Sequence, residues 1–287
     1  MTRITIFHCW KESNALIKFK NILAILLGMI MVMASLAQGE KPPGVAPIVD
    51  QGWLLGGFSR GKWLTAGDTA KTLKGKEAYQ LCTLTSFLGR ARGSKPKPNP
   101  VGEVGPEFGI TFNPSPQSRE PVVAVGGTWK AMPRQPRLLT DNLQPYVEAA
   151  QEVLQSKGIT DPQVNLTQVI EIDLDGDGIN EVVIGARRFT MPHASDVLNN
   201  GDYSMVFVHK KATGAASNIL VEGQFQTASR PEPGLALTYR VTGLVDADGD
   251  GVMEMVVNYT YYEGGGARLY QLKGDKVELV LGEDWGA

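Results

Sequence analysis

Cysteine is nearly absent from this chain: 287 residues contain two, Cys9 and Cys82. Cys9 falls in an N-terminal leader, which leaves Cys82 without an internal partner and excludes a disulfide framework. Histidine is almost as scarce, with three residues, so sites that need imidazole or thiolate donors, zinc sites above all, have little to draw on. A basic surplus is missing too. Lys and Arg number 28 against 30 Asp and Glu, a formal charge of −2, and nothing marks the basic patch of a nucleic-acid-binding protein. The chain also lacks an apolar run of the roughly 20 residues that a membrane-spanning helix needs.

The longest apolar run present is Ile22–Met33, preceded by Arg3, Lys11, Lys18 and Lys20 and followed by Ala34-Ser35-Leu36-Ala37. A basic start, an apolar centre and small residues at Ser35 and Ala37 describe a signal peptide over residues 1–37, with cleavage after Ala37. A retained anchor is the competing reading. Cleavage predicts a secreted or periplasmic protein with no membrane insertion afterwards. It leaves 24 basic and 29 acidic side chains, a net charge of −5.

Residues 38–50, with Pro42, Pro43 and Pro47, read as a proline-rich tether. Residues 51–140 read as a β-rich region. In it, Gly52–Leu64 has two apolar patches about a Gly/Ser/Arg centre, the pattern of a hairpin. Glu77–Thr85 and Pro121–Lys130 are strand-like. Seven prolines make residues 92–121 a long loop with at most a short strand near Phe108–Phe112. One helix is expected near 142–157. Thr140, Asp141 and Asn142 are its capping candidates, Tyr146, Val147, Ala150, Val153 and Leu154 its apolar stripe, and Gly158 its stop. From Val164 on, strands are expected in two groups of four: 168–174, 181–189, 203–210 and 219–225, then 239–246, 254–262, 267–273 and 276–281. The expected fold class is therefore mainly β, with antiparallel four-stranded blade-like units and one α-helix. The alternative is a single α+β domain carrying two hairpins.

Two segments within these groups match. Asp173-Leu-Asp175-Gly-Asp177-Gly-Ile179-Asn-Glu181 is echoed by Asp246-Ala-Asp248-Gly-Asp250-Gly-Val252-Met-Glu254. Carboxylates occupy positions 1, 3, 5 and 9 of each, with glycine at 6. Three alternating aspartates on a sharply turned backbone converge on one cation, and Glu181 or Glu254 completes the cage. The position-7 carbonyl of Ile179 or Val252 is expected to face inward, and Asn180 to point away. Dense hard oxygen donors suit calcium, which takes six to eight of them, better than magnesium. The expectation is two Ca2+ sites, weighed against ordinary solvated Asp/Gly turns. Position 12 carries Ile184 and Val257 in place of the EF-hand glutamate, and the flanks are apolar strands, so these are not EF-hands. A strand, an acidic nine-residue loop and a strand resemble the calcium hairpins of FG-GAP and VCBS-type repeats, found in integrin α-chain propellers and many secreted bacterial proteins. The resemblance is specific over 165–185 and 238–260, looser through the rest of 164–287, and does not reach residues 38–140. The Phe-Gly…Gly-Ala-Pro signature is missing. The resemblance implies a calcium role for the loops and a propeller-like setting.

Other motifs carry less. Gly57-Phe-Ser59-Arg-Gly61 matches the Gly-x-Ser-x-Gly elbow, but that elbow needs a strand running into a helix, and a hairpin turn is expected here. His193 and His209 are the histidines left to a Ser59 triad. Glu263–Gly266 reads as a bulged turn rather than an anion cradle. Tyr259 and Tyr261 are expected on one strand face, at least partly in the core, with Tyr262 on the other. Asn165 and Asn258 sit in glycosylation sequons. Cys82 reads as a small buried hydrophobe. No catalytic residue is assigned. The functional expectation is an exported calcium-binding module that recognises a protein or glycan at the cell envelope without catalysis; the alternative is an exported hydrolase whose active site lies in the N-terminal half.

Overall fold

The computed structural model describes residues 44–99, 108–189, 198–210, 216–227 and 235–286. The chain divides into Met1–Lys41 and Pro42–Ala287, and the architecture below is that of the second unit. The leader, with its Ile22–Met33 and Ser35/Ala37 signals, lies outside the described residues, as does His193. Among the described residues, no helix is long and apolar enough to cross a membrane.

The protein is mainly β, with antiparallel sheets. The largest sheet collects the short strands β1 (Ala46–Asp50), β2 (Trp53–Ser59), β3 (Lys62–Thr65), β4 (Ala78–Cys82), β5 (Phe87–Gly93), β6 (Lys97–Pro98), β7 (Phe108–Gly109), β8 (Phe112–Asn113) and β9 (Val123–Gly126). Their order is β6-β7-β2-β1-β9-β4-β5-β8, with β3 hydrogen-bonded to β2. The second sheet has the order β10 (Arg137–Leu138), β11 (Leu166–Ile172), β12 (Glu181–Arg187), β13 (Tyr203–Lys210), β14 (Ser217–Phe225). The third is a plain meander of β15 (Thr238–Val245), β16 (Glu254–Tyr261), β17 (Gly264–Lys273) and β18 (Lys276–Gly286). Both expected groups of four strands are thus present in order, and the first gains β10 at its edge.

Strand alternation assigns the two faces. On β12, Val182, Ile184 and Ala186 face helix α2 (Gln144–Ser156), while Val183 faces a core that all three sheets share. Ile48, Leu55 and Val125 enter that core from the first sheet, Ile170, Val206 and Val208 from the second, and Val241, Val257 and Leu269 from the third. A strand covered on both faces reads as a continuous apolar run, and Glu-Val-Val-Ile-Gly-Ala fits that rule. Across the sheet boundary the Gln168 amide acts as a clamp: Nε2 donates to the Val241 carbonyl at 3.0 Å and Oε1 accepts from the Val241 amide at 2.9 Å. Helix α2 buries Tyr146, Ala149, Ala150, Val153 and Leu154. Burying Leu154 completely contributes about 1.5–3 kcal/mol.

Four expectations need correction. The tether 38–50 ends in β1, whose five residues are all buried and which pairs with both β2 and β9. Pro47 is tolerated because β9 pairs from Ile48 onward and Gly126 leaves room for the proline ring. The loop 92–121 contains β6, β7 and β8 and the end of β5, short rungs that add to the sheet edges. A second helix, α1 (Ala66–Thr72), follows β3, with Thr65 Oγ1 accepting from the Asp68 amide at 3.2 Å. At α2, Thr140, Asp141 and Asn142 do not cap. The N-cap is Leu143, without a side-chain bond, and Pro145 occupies the first turn. The stop is as expected: Gly158 at φ +91° donates to Gln155 and Ile159 donates to Leu154.

Candidate metal centre

Each acidic loop joins two neighbouring strands, β11 to β12 and β15 to β16, and its backbone is held by its own side chains. The position-1 aspartate accepts from the amides at positions 4 and 6: Asp173 from Gly176 (2.7 Å) and Gly178 (3.2 Å), Asp246 from Gly249 (2.6 Å) and Gly251 (3.1 Å). Position 3 accepts from 5, and 5 from 7, so Asp175 and Asp248 take the amides of Asp177 and Asp250, which in turn take those of Ile179 and Val252. Finally, the glutamate at position 9 accepts from the amide at position 2: Glu181 from Leu174 at 2.9 Å, Glu254 from Ala247 at 2.8 Å. Five matching bonds make the two loops one structure built twice. The glycines at positions 4 and 6 have φ between +79° and +90°, a region that side chains with a Cβ avoid.

This turn brings carboxylates together. Oxygens of Asp173, Asp175 and Glu181 lie within 4.8 Å of one another, and so do those of Asp246, Asp248 and Asp250. Either cluster can hold a metal ion. Asp177 and Glu254 fall outside these sets, and Ile179 and Val252 enter the bond network through their amides. Glu181 is fully buried, and its Oε1 has no hydrogen-bond partner. A buried carboxylate oxygen without a hydrogen bond is costly; the Lys210 ammonium, 3.8 Å away, offsets part of that cost, and a cation among these donors would relieve the rest.

Burial shapes the charges. Loss of solvent pushes Glu254 up to about 9 and Asp246 up to about 6, and the neighbouring loop aspartates add to both. Glu181 is raised as well, chiefly by burial. Asp175 also feels burial, but the hydrogen bond and charge of Lys210 outweigh it and hold the carboxyl below its ordinary range. A bound divalent ion reverses the upward shifts, since it favours the ionised form.

No family model, curated protein or solved structure matches this chain. The site therefore rests on its own geometry.

Sequence reasoning missed the residues that support the loops, which come from the segment between β9 and β10. Trp129 Nε1 donates to the Asp246 carbonyl at 2.9 Å, and its ring lies against Gly249. Arg134 donates through Nε to the Asp173 carbonyl, and through one Nη to the carbonyls of Leu174 (2.9 Å) and Gly251 (2.6 Å). That one guanidinium ties both loops together, and the Met253 amide adds a direct bond to Leu174 at 2.8 Å. Lys210, reaching in from β13, was missed too. No local pattern signals these contacts, which span 35 to 117 residues of sequence.

The remaining candidates have ordinary roles. Ser59 ends β2 and is followed by the two-residue turn Arg60-Gly61 into β3, with no helix behind it. His209 stands on a different sheet, where its Nδ1 meets Asn218 Oδ1 at 2.8 Å. Gly264–Gly266 are strand residues wedged between β16 and β18, with no room for a Cβ. Tyr259 is buried and stacks at 6.5 Å on Tyr261, while Tyr262 is exposed. Asn258 is buried, donating to Asp50 at 2.8 Å, which rules out a glycan there in the folded protein. Cys82 is buried, and its thiol is pushed up to about 12, a setting that makes it unreactive.

Proposed function

We propose that this chain is an exported, non-catalytic module whose two acidic loops each bind one calcium ion, and that the ions stiffen a surface that recognises a protein or glycan at the cell envelope. The observation that carries the reading is the pair of loops with five matching hydrogen bonds each, which converge three carboxylates to within 4.8 Å. Oxygen donors alone favour calcium over zinc, and a loop dense in carboxylates suits calcium, which takes six to eight oxygens, better than magnesium, which keeps its waters. The likeness to FG-GAP and VCBS-type hairpins supports reading the two four-stranded meanders as propeller-like blades. The export reading rests on the leader of residues 1–37.

Calorimetry on chelator-stripped protein tests the metal reading. Two calcium equivalents are expected. Asp175→Ala should remove the uptake at the first loop and Asp248→Ala that at the second, each leaving the other to titrate. Magnesium should bind more weakly. Protein that takes up no calcium at millimolar concentration and melts at the same temperature with and without it would overturn the proposal. Intact mass of material recovered outside the cytoplasm tests export, with an N-terminus at Gln38 expected.

A further inference from the structure

The two loops share a backbone but differ in what stands across from their glutamates. In the first unit Val182 pairs with His209, so the next rung sets Glu181 against Lys210. In the second unit Met255 pairs with Tyr270, so the same rung sets Glu254 against Gln271. Equivalent positions on the third strand of each unit thus present an ammonium to one loop and a carboxamide to the other. Gln271 Nε2 donates to Glu254 Oε1 at 3.1 Å, so both oxygens of that buried glutamate are hydrogen-bonded. Lys210 Nζ donates to Asp175 Oδ2 at 2.7 Å and lies 3.8 Å from Glu181 Oε1. Its side chain is only 17% exposed, and the ammonium lies between the carboxylates of Asp175 and Glu181. Even so, Glu181 Oε1 has no hydrogen bond. The lysine supplies charge to this oxygen at a distance, and the donor stays open.

We infer that Lys210 is a built-in counter-ion of the first loop: it holds the loop together when no metal is bound and competes with the incoming cation. The inference deepens the calcium reading and rests on it. Its consequence is an order of filling. The second loop, faced by a neutral amide, binds calcium first. The first loop fills only as the Lys210 ammonium leaves Asp175, because a fixed positive charge about 4 Å from a divalent ion is strongly repulsive in a partly buried site. Unbranched and four carbons long, the lysine stem can carry its head group outward along the loop surface.

Exchanging the two residues provides the test, read by calcium calorimetry and by melting. Wild type should show two inequivalent sites, with Asp248→Ala abolishing the tighter and Asp175→Ala the weaker. Lys210→Gln should tighten the first loop by about tenfold or more and bring the two sites together. Gln271→Lys should weaken the second loop by a similar factor. Lys210→Met serves as a second removal of the charge should the glutamine variant fold poorly. In chelator, Lys210→Gln should melt lower than wild type, and saturating calcium should erase the difference. A lysine that merely braces the fold would lower the melting temperature equally under both conditions and leave affinity alone. Equal wild-type affinities, or a first-loop affinity unmoved by Lys210→Gln and Lys210→Met, would overturn the inference while the calcium reading stood. No calcium uptake by wild type or any variant would overturn both.

Discussion

Residues 173–181 and 246–254 fold to the same turn, yet they solve the problem of crowded carboxylates differently. In the first loop Asp173 and Asp175 are half-buried and Asp177 is exposed, so water screens much of the repulsion, and Lys210 neutralises part of the rest. In the second, Asp246 and Asp248 are buried, while the glutamate is buried and the position-5 aspartate exposed in both loops. The Trp129 ring lies over Gly249 of this loop, where the Arg134 guanidinium lies over Gly176 of the other. At the rung where the first loop meets Lys210 this one meets the neutral Gln271, and Lys273, whose charge reaches Asp248 and Asp250 from further along β17, is itself paired with Glu278 at 2.7 Å. An identical hydrogen-bond pattern can therefore sit in two electrostatic settings, and burial decides how strongly each needs a cation.

The largest expected effect on this contrast comes from the metal itself. A cation that binds only the folded state adds about 2.7 kcal/mol per site at a hundredfold excess over its dissociation constant. Chelation should therefore lower the melting temperature clearly, and Asp248→Ala should abolish more of that shift than Asp175→Ala. An equal share for each loop would break the comparison. Next in size is Asp246→Ala measured in chelator. It strips the acceptor from two loop amides at a buried position, an expected loss of about 2–4 kcal/mol by chemical denaturation. Asp173→Ala, in a wetter loop, should cost less.

These loops were the part of the molecule most legible in the sequence, because everything that shapes them lies within nine residues. The strand that leaves the first loop was legible for a related reason: burial on both faces of β12 leaves a long apolar run. What could not be read was set by distant partners. Arg134 and Lys210 look like ordinary surface charges until the fold carries them to the loops. β1 was concealed by its own proline, acceptable only because Gly126, nearly eighty residues on, makes room for it. Helix α1 was concealed by its brevity and by Gly67, a poor helix former, and its Thr65 cap was the one local sign.

A pH titration sharpens the comparison further. The folded-state values of Glu254, raised to about 9, and Asp246, raised to about 6, lie above those of the unfolded chain. Their contribution is thus fully present below about pH 4, the ordinary carboxylate range, and is lost as pH rises through the folded values. In chelator, stability should fall as pH climbs from about 5 towards 9. With calcium bound the carboxylates are ionised, so the protective effect of the ion should grow over the same interval. Asp246→Asn should flatten the lower part of the metal-free slope, and an unchanged slope would count against burial of the second loop as its source. The smallest effect is expected far from both loops: Ser59→Ala should change stability by no more than about 0.5 kcal/mol. A selective loss of a hydrolytic activity in that variant, with folding intact, would favour an enzyme.

The buried bond between β1 and β16 bears on how the chain assembles. Asp50 receives the Asn258 amide across 208 positions of sequence, and its strand β1 completes its ladder only with β9. Ile48, beside it, packs into the core shared with Val257 and Leu269. An early-made strand must therefore wait, unpaired along one edge, until much later segments arrive. Chains dominated by such distant pairings fold slowly. During that interval the exposed edge of β1 is open to strands of other chains, so the yield of native protein is set by how soon β9 arrives to cover it.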